Sequence, residues 1–348
     1  MKTVICLGHL SRFGRAFLDA ALAQERFSIQ QVIIADAARW QQFRCRLARR
    51  PYQHPGKKAK KTWSAETQAV IRRCRASGVS VNVLHDANQP SVAGQLRAYE
   101  VMLTAAFPQI FEAEVAEAPA NGSINFHPSY LPRCRGAHPV YWAIAEQEPY
   151  SGVSSHWVTA KIDAGPLLSR LKIEYDPARI TYAQLYQAAM GRLPELLKCT
   201  HQALLDPARR PVVDEPATYY WEDRRIHHRI YWEAEPSARV AAKVRAGQAF
   251  TQLRQMEVRL FTPAHAGCYP VYLKPDQLRQ LPPGTILKVE ADTLLVQCID
   301  GCLELRYQVS PLYPVPRKLY RLLHRLGMGA YWAKSLLGVL LKEGDQLR

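Results

Sequence analysis

Apolar positions in the first two hundred residues fall into short runs separated by helical spacing. Residues 3–7, Thr-Val-Ile-Cys-Leu, form a nearly unbroken apolar run, the pattern of a strand buried on both faces. Ser11 then stands where a helix N-cap belongs, and Phe13, Ala16, Phe17 and Ala20 repeat at i, i+3, i+4 and i+7. Residues 32–35, 79–84, 101–106, 123–126 and 152–158 are further strand candidates, with helical stretches between several of them. Alternating βα units predict an α/β fold: an open, mostly parallel, Rossmann-like sheet with helices on both faces. In such sheets ligands sit beyond the carboxyl ends of the strands. Thr181 opens a long amphipathic helical stretch over 182–205, with a break near Pro194.

The pattern changes after that helix. Residues 209–216 are Pro-rich and extended, whereas 256–261, 284–289, 293–298 and 302–308 read as short strands with turns between them. The chain therefore divides into a catalytic α/β domain at 1–208, a linker at 209–220, a smaller β-barrel-like domain at 221–315 and a basic amphipathic tail at 316–348. In the tail, Leu319, Leu322, Leu323 and Leu326 share one face of a predicted terminal helix.

Composition narrows the class. With 48% hydrophobic and 22% charged residues, the 348-residue chain is ordinary globular material, so wholesale disorder is excluded. It has no apolar run near the ~20 residues of a membrane-spanning helix. The first residues are too soon interrupted for a signal peptide, and a cytoplasmic protein is expected. Its 8 cysteines show no Cys-x-x-Cys pair and no zinc spacing, so they are read as reduced, small apolar side chains. The formal charge of +16 points to a polyanionic partner. Gly8-His9-Leu10-Ser11-Arg12-Phe13-Gly14 does not make Gly-x-Gly-x-x-Gly, so a nicotinamide dinucleotide site is unsupported.

The densest chemistry lies in Ser123-Ile124-Asn125-Phe126-His127-Pro128-Ser129-Tyr130-Leu131-Pro132-Arg133-Cys134-Arg135-Gly136. Asn125 and His127 are two apart at a strand end, so both side chains point to one face. An amide donor and an imidazole placed there suit action on a carbonyl. Further on, Gly152-Val153 opens a strand, and the loop after it presents Asp163 between small residues, in Ile162-Asp163-Ala164-Gly165-Pro166. Taken alone, a strand-end Asn is a turn former and a lone His a packed side chain. His138 and His156 are read in that second way.

Together these motifs resemble the 10-formyltetrahydrofolate-dependent formyltransferases, in a layout most similar to the methionyl-tRNA branch of that family. The resemblance is strongest over residues 95–175, and Pro283-Gly284-Thr285-Ile286 and Gly301-Cys302-Leu303-Glu304-Leu305 extend it to the family's small C-terminal domain. It implies an N-formyltransferase with three catalytic residues and no metal. Asn125 would donate its amide to the formyl oxygen. His127 would do so as an imidazolium or shuttle a proton, and Asp163 would hold His127, raise its pKa and help take the proton of the attacking amine. For the folate, the resemblance implies contacts from Phe107, Gln109 and Ile110 in a pteridine loop, and from Ser129, Tyr130, Leu131 and Pro132. For Phe107 and Phe111, core packing is the competing role.

The acceptor is read from charge. Residues 39–61 hold basic side chains and no acid, with Trp40, Phe43, Tyr52 and His54 interleaved. Arg49, Arg50, Lys57, Lys58, Lys60 and Lys61 stand where the methionyl-tRNA branch has a loop against the acceptor stem, so aminoacyl-tRNA is the first acceptor implied. Pro128, Tyr130 and Arg135-Gly136-Ala137-His138-Pro139-Val140-Tyr141-Trp142 are as similar to formyltransferases of amino-sugar nucleotides and other small amines. Two other readings are a catalytically silent RNA-binding protein on the same scaffold and a hydrolase that deformylates the cofactor. The tail would pack as a helix, bind RNA or touch an anionic membrane surface.

Overall fold

The computed structural model describes residues 1–8, 10–35, 65–84, 86–220, 225–253, 256–261, 270–271, 281–289, 293–309 and 341–348. The basic segment, with Arg49, Arg50, Lys57, Lys58, Lys60 and Lys61, lies outside the described residues. So does the leucine face predicted at 319–326. The described chain forms two compact units. Met1–Pro139, Ser151–Ile173 and Tyr186–Trp221 make the first; Val140–Tyr150, Glu174–Leu185 and Glu222–Arg348 make the second.

Strands of the first unit are β1 (Lys2–Leu7), β2 (Ser28–Ala35), β3 (Ser80–Leu84), β4 (Val101–Ala105), β5 (Ser123–His127), the two-residue β6 (Arg135–Gly136), β7 (Tyr150–Trp157), β8 (Leu167–Glu174) and the two-residue β9 (Tyr219–Tyr220). Seven of them form one sheet in the order β3-β2-β1-β4-β5-β7-β8. Pairing is parallel from β3 through β5 and turns antiparallel at β5 and β7. The central strands read as continuous apolar runs because helices cover both faces. Val4, Ile5, Leu7, Ile33, Ile34, Leu103 and Ile124 have no exposed surface, and each such burial contributes about 1.5–3 kcal/mol before chain entropy is counted.

The helix Arg12–Leu22 is capped by Ser11, whose hydroxyl accepts from Gly14 N at 3.4 Å. Its buried face is Phe13, Gly14, Phe17, Leu18 and Ala21 rather than the predicted Phe13, Ala16, Phe17 and Ala20. Two features turn it. Leu18 has more apolar surface to hide than either alanine. At Gly14 the helix presses against the end of β1 so closely that a Cβ there would lie 2.5 Å from the Gly8 carbonyl oxygen. The stretch after Thr181 splits into Tyr182–Gly191 and Leu193–Leu205. Pro194 falls in the first turn of the second helix, where its missing N–H has no intrahelical partner to lose. Thr181 and Gln184 cap the first helix reciprocally, through Thr181 N to Gln184 Oε1 at 3.0 Å and Gln184 N to Thr181 Oγ1 at 3.4 Å.

The second unit is a six-stranded antiparallel half-barrel. Its strands are β10 (Phe250–Leu253), β11 (Met256–Phe261), β12 (Pro270–Val271), β13 (Ile286–Val289), β14 (Thr293–Gln297) and β15 (Cys302–Val309), ordered β10-β11-β15-β14-β13 with β12 on β15. Trp232, Val240, Val244, Val258, Leu260, Leu294 and Leu305 fill its core beneath the helix Ser237–Ala246. Residues 341–348 pack into this unit: Leu341 and Leu347 join the core, and Arg348 exchanges backbone hydrogen bonds with Gln252 at 2.6 and 2.8 Å. Among the described residues, no helix is long and apolar enough to cross a membrane.

Candidate active site

β5 ends on His127, and the alternation of its side chains sends Asn125 and His127 to one face. Because β7 runs antiparallel to β5, His156 stands directly across from Asn125 on that same face. The loop between β7 and β8 carries Asp163 back over this face. Asp163 has φ 48°, a left-handed conformation that aspartate tolerates better than most side chains. Gly165 lets the loop close, since a Cβ there would lie 1.9 Å from the Trp157 carbonyl oxygen.

The Asp163 carboxylate is the hub of a nearly dry cluster, with 9% of its side chain exposed. Oδ1 accepts from Asn125 Nδ2 at 3.1 Å and lies 3.3 Å from His156 Nε2. Oδ2 accepts from Gly136 N at 2.8 Å and lies 3.5 Å from His127 Nδ1. His127 Nε2 faces the Cys134 carbonyl oxygen at 3.1 Å. His156 Nδ1 lies 2.8 Å from the Trp157 carbonyl oxygen, and its Nε2 stands between Asn125 Nδ2 at 3.2 Å and Asp163 Oδ1 at 3.3 Å.

Burial and pairing act in opposite senses here. Burial pushes the Asp163 carboxyl up, but the imidazoles of His127 and His156 and the Gly136 N–H outweigh it, and its pKa falls well below 3.8. For His127 burial is the larger effect, and it holds the ring below 6.5 although Asp163 and the Cys134 carbonyl pull the other way. The expected upward pull of Asp163 on the His127 pKa is present, but the net direction is downward: a fully enclosed ring loses more hydration than one carboxylate at 3.5 Å restores. Its two nitrogens nevertheless both face acceptors, so a proton taken up there meets a ready hydrogen bond at either end.

The loop after β5 is tied down by the segment before Trp221. Thr218 N donates to the Pro132 carbonyl at 3.2 Å, Arg135 N donates to the Thr218 carbonyl at 2.9 Å, and Cys134 N donates to Thr218 Oγ1 at 2.8 Å. β6 then pairs with β9 in parallel. Gly136, at φ 95°, passes so near β9 that a Cβ would meet the Tyr220 carbonyl oxygen at 2.1 Å. Thr218 thus fixes the loop that offers the Cys134 carbonyl to His127 and the Gly136 N–H to Asp163. Thr218→Val, which orphans the Cys134 N–H, is expected to cost about 1–3 kcal/mol in chemical denaturation, with Thr218→Ser close to the parent.

The family described as formyl transferase matches residues 4–197, and its C-terminal domain matches residues 225–311. The chain belongs to the formyl transferase family. It is a formyltransferase, built of that family's α/β unit and antiparallel C-terminal unit. Methionyl-tRNA formyltransferase of Bacillus cytotoxicus is 27% identical over 253 residues, covering 71% of this chain and 74% of that one. Two solved structures share the fold. An N-formyltransferase from Helicobacter canadensis, in complex with folinic acid and dTDP-3-aminofucose, has a TM-score of 0.55 at 15% identity, covering 89% of this chain and all of that one. WlaRD, a sugar 3N-formyl transferase, has a TM-score of 0.54 at 15% identity, covering 90% of this chain and 99% of that one.

In this formyltransferase the residues suggested for folate separate by environment. Phe107 and Phe111 stack on each other at 4.9 Å and pack against the core under β1 and β4. Gln109 Oε1 accepts from Ala87 N at 2.7 Å, which pins the loop. Ile110 is half exposed and borders a cavity of about 450 Å³, with Tyr219 and Arg135. Ser129 donates to the Arg133 carbonyl at 2.8 Å, and Tyr130 lies under the Arg170 guanidinium at 4.3 Å. Leu131 and Pro132 border a smaller cavity of about 130 Å³, which Asp163 also lines. A volume of about 450 Å³ is within the ~300–1,000 Å³ usual for small-molecule sites; this cavity is lined by Ile162 and Ala164, the neighbours of Asp163, whereas Asp163 itself lines the smaller one. His156 is the contact the sequence reading missed. The signal for it was the strand beginning at residue 150: pairing it antiparallel with β5 sets His156 opposite Asn125.

Proposed function

We propose that this formyltransferase takes the formyl group of 10-formyltetrahydrofolate and passes it to the amino group of an aminoacyl-tRNA. The observation that carries the chemistry is the convergence of Asn125 and His127 within 3.5 Å of the Asp163 carboxylate. Amine attack loads negative charge on the formyl oxygen and positive charge on the attacking nitrogen. Asn125 gives up its Nδ2–H contact with His156 and donates to that oxygen. Asp163, ionised, attracts the nitrogen's charge and accepts its proton. His127 rests neutral and receives the proton in turn, where the Cys134 carbonyl and the Asp163 carboxylate hold the imidazolium at both nitrogens; it then gives the proton to the folate nitrogen as the bond from that nitrogen to the formyl carbon breaks, so tetrahydrofolate leaves and the formyl group stays on the amine. Ile110, Tyr219, Leu131 and Pro132 would border the folate. The formyl group it brings is the transferred one-carbon unit.

The tRNA acceptor is supported by the relative from Bacillus cytotoxicus, whose alignment covers 74% of its length, and by the +16 charge with its basic segment at 39–61. A small amine on a sugar nucleotide is the second reading. It is favoured by the solved sugar N-formyltransferases, which share the fold over nearly their whole length. Cysteines 6, 74, 134, 199, 298 and 302 are free thiols, which suits a cytosolic enzyme. Purified protein given 10-formyltetrahydrofolate with charged tRNA, and separately with a nucleotide-linked amino sugar, decides between the acceptors. Formylated tRNA is expected. Unmodified tRNA with consumption of the amino sugar would establish the second reading. Tetrahydrofolate release without any acceptor would indicate a hydrolase.

A further inference from the structure

We propose that Arg135 and Lys161 form an anion subsite beside Asp163, which seats a carboxylate or phosphate carried by one of the substrates. The proposal rests on the formyl-transfer reading and adds to it a chemical requirement on the ligand.

Arg135 lies between the two cavities that flank the Asp163 loop and lines both of them. Its guanidinium has no acceptor among the described residues, and its Nε is sealed from solvent with nothing to donate to. Arg133, Arg229 and Arg245 also keep a shielded Nε without an acceptor, but of these four only Arg135 lines the cavities beside Asp163, and two other part-buried arginines are fully engaged. Arg170 pairs with Glu215 at 3.1 Å and donates to the Leu131 carbonyl at 3.0 Å, and Arg239 grips both oxygens of Glu146 at 2.8 Å. A shielded donor left unpaired costs free energy, and guanidinium geometry matches carboxylate and phosphate oxygens. Asp163 does not neutralise it: that carboxylate is taken by Asn125, Gly136 N and two imidazoles.

The placement is rigid. Arg135 is a strand residue in β6, its N–H bound to the Thr218 carbonyl, and its neighbour Gly136 donates to Asp163. The larger cavity gains a second cation from Lys161, whose ammonium has no partner among the described residues. Lys161 is two residues from Asp163, which bounds their Cα separation at about 7 Å. The half-exposed Ile110 and Tyr219 supply an apolar wall to the same cavity. Two cations against an apolar wall suit a ligand with a flat or aliphatic body and an anionic arm, held near the reacting carbon. Two sources carry such an arm: the glutamyl carboxylates of the folate donor and a phosphate of the acceptor.

Equilibrium binding of tetrahydrofolate, of tetrahydropteroate (which lacks the glutamate) and of inorganic pyrophosphate, to the parent and to Arg135→Gln and Lys161→Gln, tests the proposal. If the donor is the source, Arg135→Gln weakens tetrahydrofolate about tenfold or more and leaves tetrahydropteroate unchanged. If the acceptor is the source, both folates bind as before and pyrophosphate binding falls by a similar factor. Lys161→Gln moves the same probe less, and Arg135→Lys recovers part of the loss. Unchanged binding of all three probes to a folded Arg135→Gln protein overturns the subsite. Failure of the parent to bind either folate would instead count against the formyl-transfer reading.

Discussion

Asp163→Asn lowers kcat by about 10²–10⁴-fold, the worth of a positioned acid or base. The amide keeps the size of the side chain but cannot take a proton or attract the positive charge of the attacking nitrogen. The pH dependence separates this from a structural fault. In the parent, kcat/KM falls as pH drops through the His127 pKa, which burial holds below 6.5. Asp163 is the neighbour that pulls that pKa up, so in Asp163→Asn the residual acid limb moves to still lower pH. Stability follows the same groups. Asp163 titrates well below 3.8 when folded, so its contribution is full above 3.8 and is lost as pH falls toward the folded value. His127 is also depressed when folded, so an unfolded ring binds its proton first and stability drops as pH falls below 6.5. Chemical denaturation of parent and variant from pH 7 down to pH 2 is expected to show the variant lacking the lower of these two losses, the part that sets in below 3.8. An acid limb that stays in place in Asp163→Asn would separate the carboxylate from His127.

Asn125→Ala is expected to lower kcat by about 10²–10³-fold, the usual loss for one oxyanion donor. Asn125 Nδ2 already lies 3.1 Å from Asp163 and 3.2 Å from His156, so the amide is held without help from substrate. The loss should fall on kcat, with tetrahydrofolate affinity nearly unchanged, because a donor aimed at charge that develops in the transition state adds little to ground-state binding. A rise in the folate dissociation constant that matches the fall in kcat/KM would make Asn125 a binding residue instead.

Most strands were legible in the apolar pattern, because β1, β4 and β5 are continuous apolar runs and β14 and β15 sit between turn residues. The trio was legible because Asn125 and His127 share a strand end and Asp163 sits among small residues. What escaped the pattern was pairing between distant segments. The antiparallel turn of β7 brings His156 across from Asn125, and a period-two alternation inside β7 carries no word of its partner strand. Residues 209–220 read as a linker on their prolines, yet Thr218 and Tyr219 zip onto the loop after β5 through backbone hydrogen bonds, which leave no trace in residue type. The pull of Asp163 on the His127 pKa was legible but its net direction was not, because charge can be read from sequence and enclosure cannot. On the helix Arg12–Leu22, spacing alone could not register the close approach at Gly14 that turns the buried face.

The central claim is that Asn125 and Asp163 act as one unit with His127 on a single carbon. A double-mutant cycle on kcat for acceptor-dependent release of tetrahydrofolate, using Asn125→Ala, Asp163→Asn and the two combined, measures it directly. A unit of this kind predicts a double variant little slower than the worse single one. Losses that simply multiply would mean the two side chains act independently, and would contradict the convergence on which the mechanism stands.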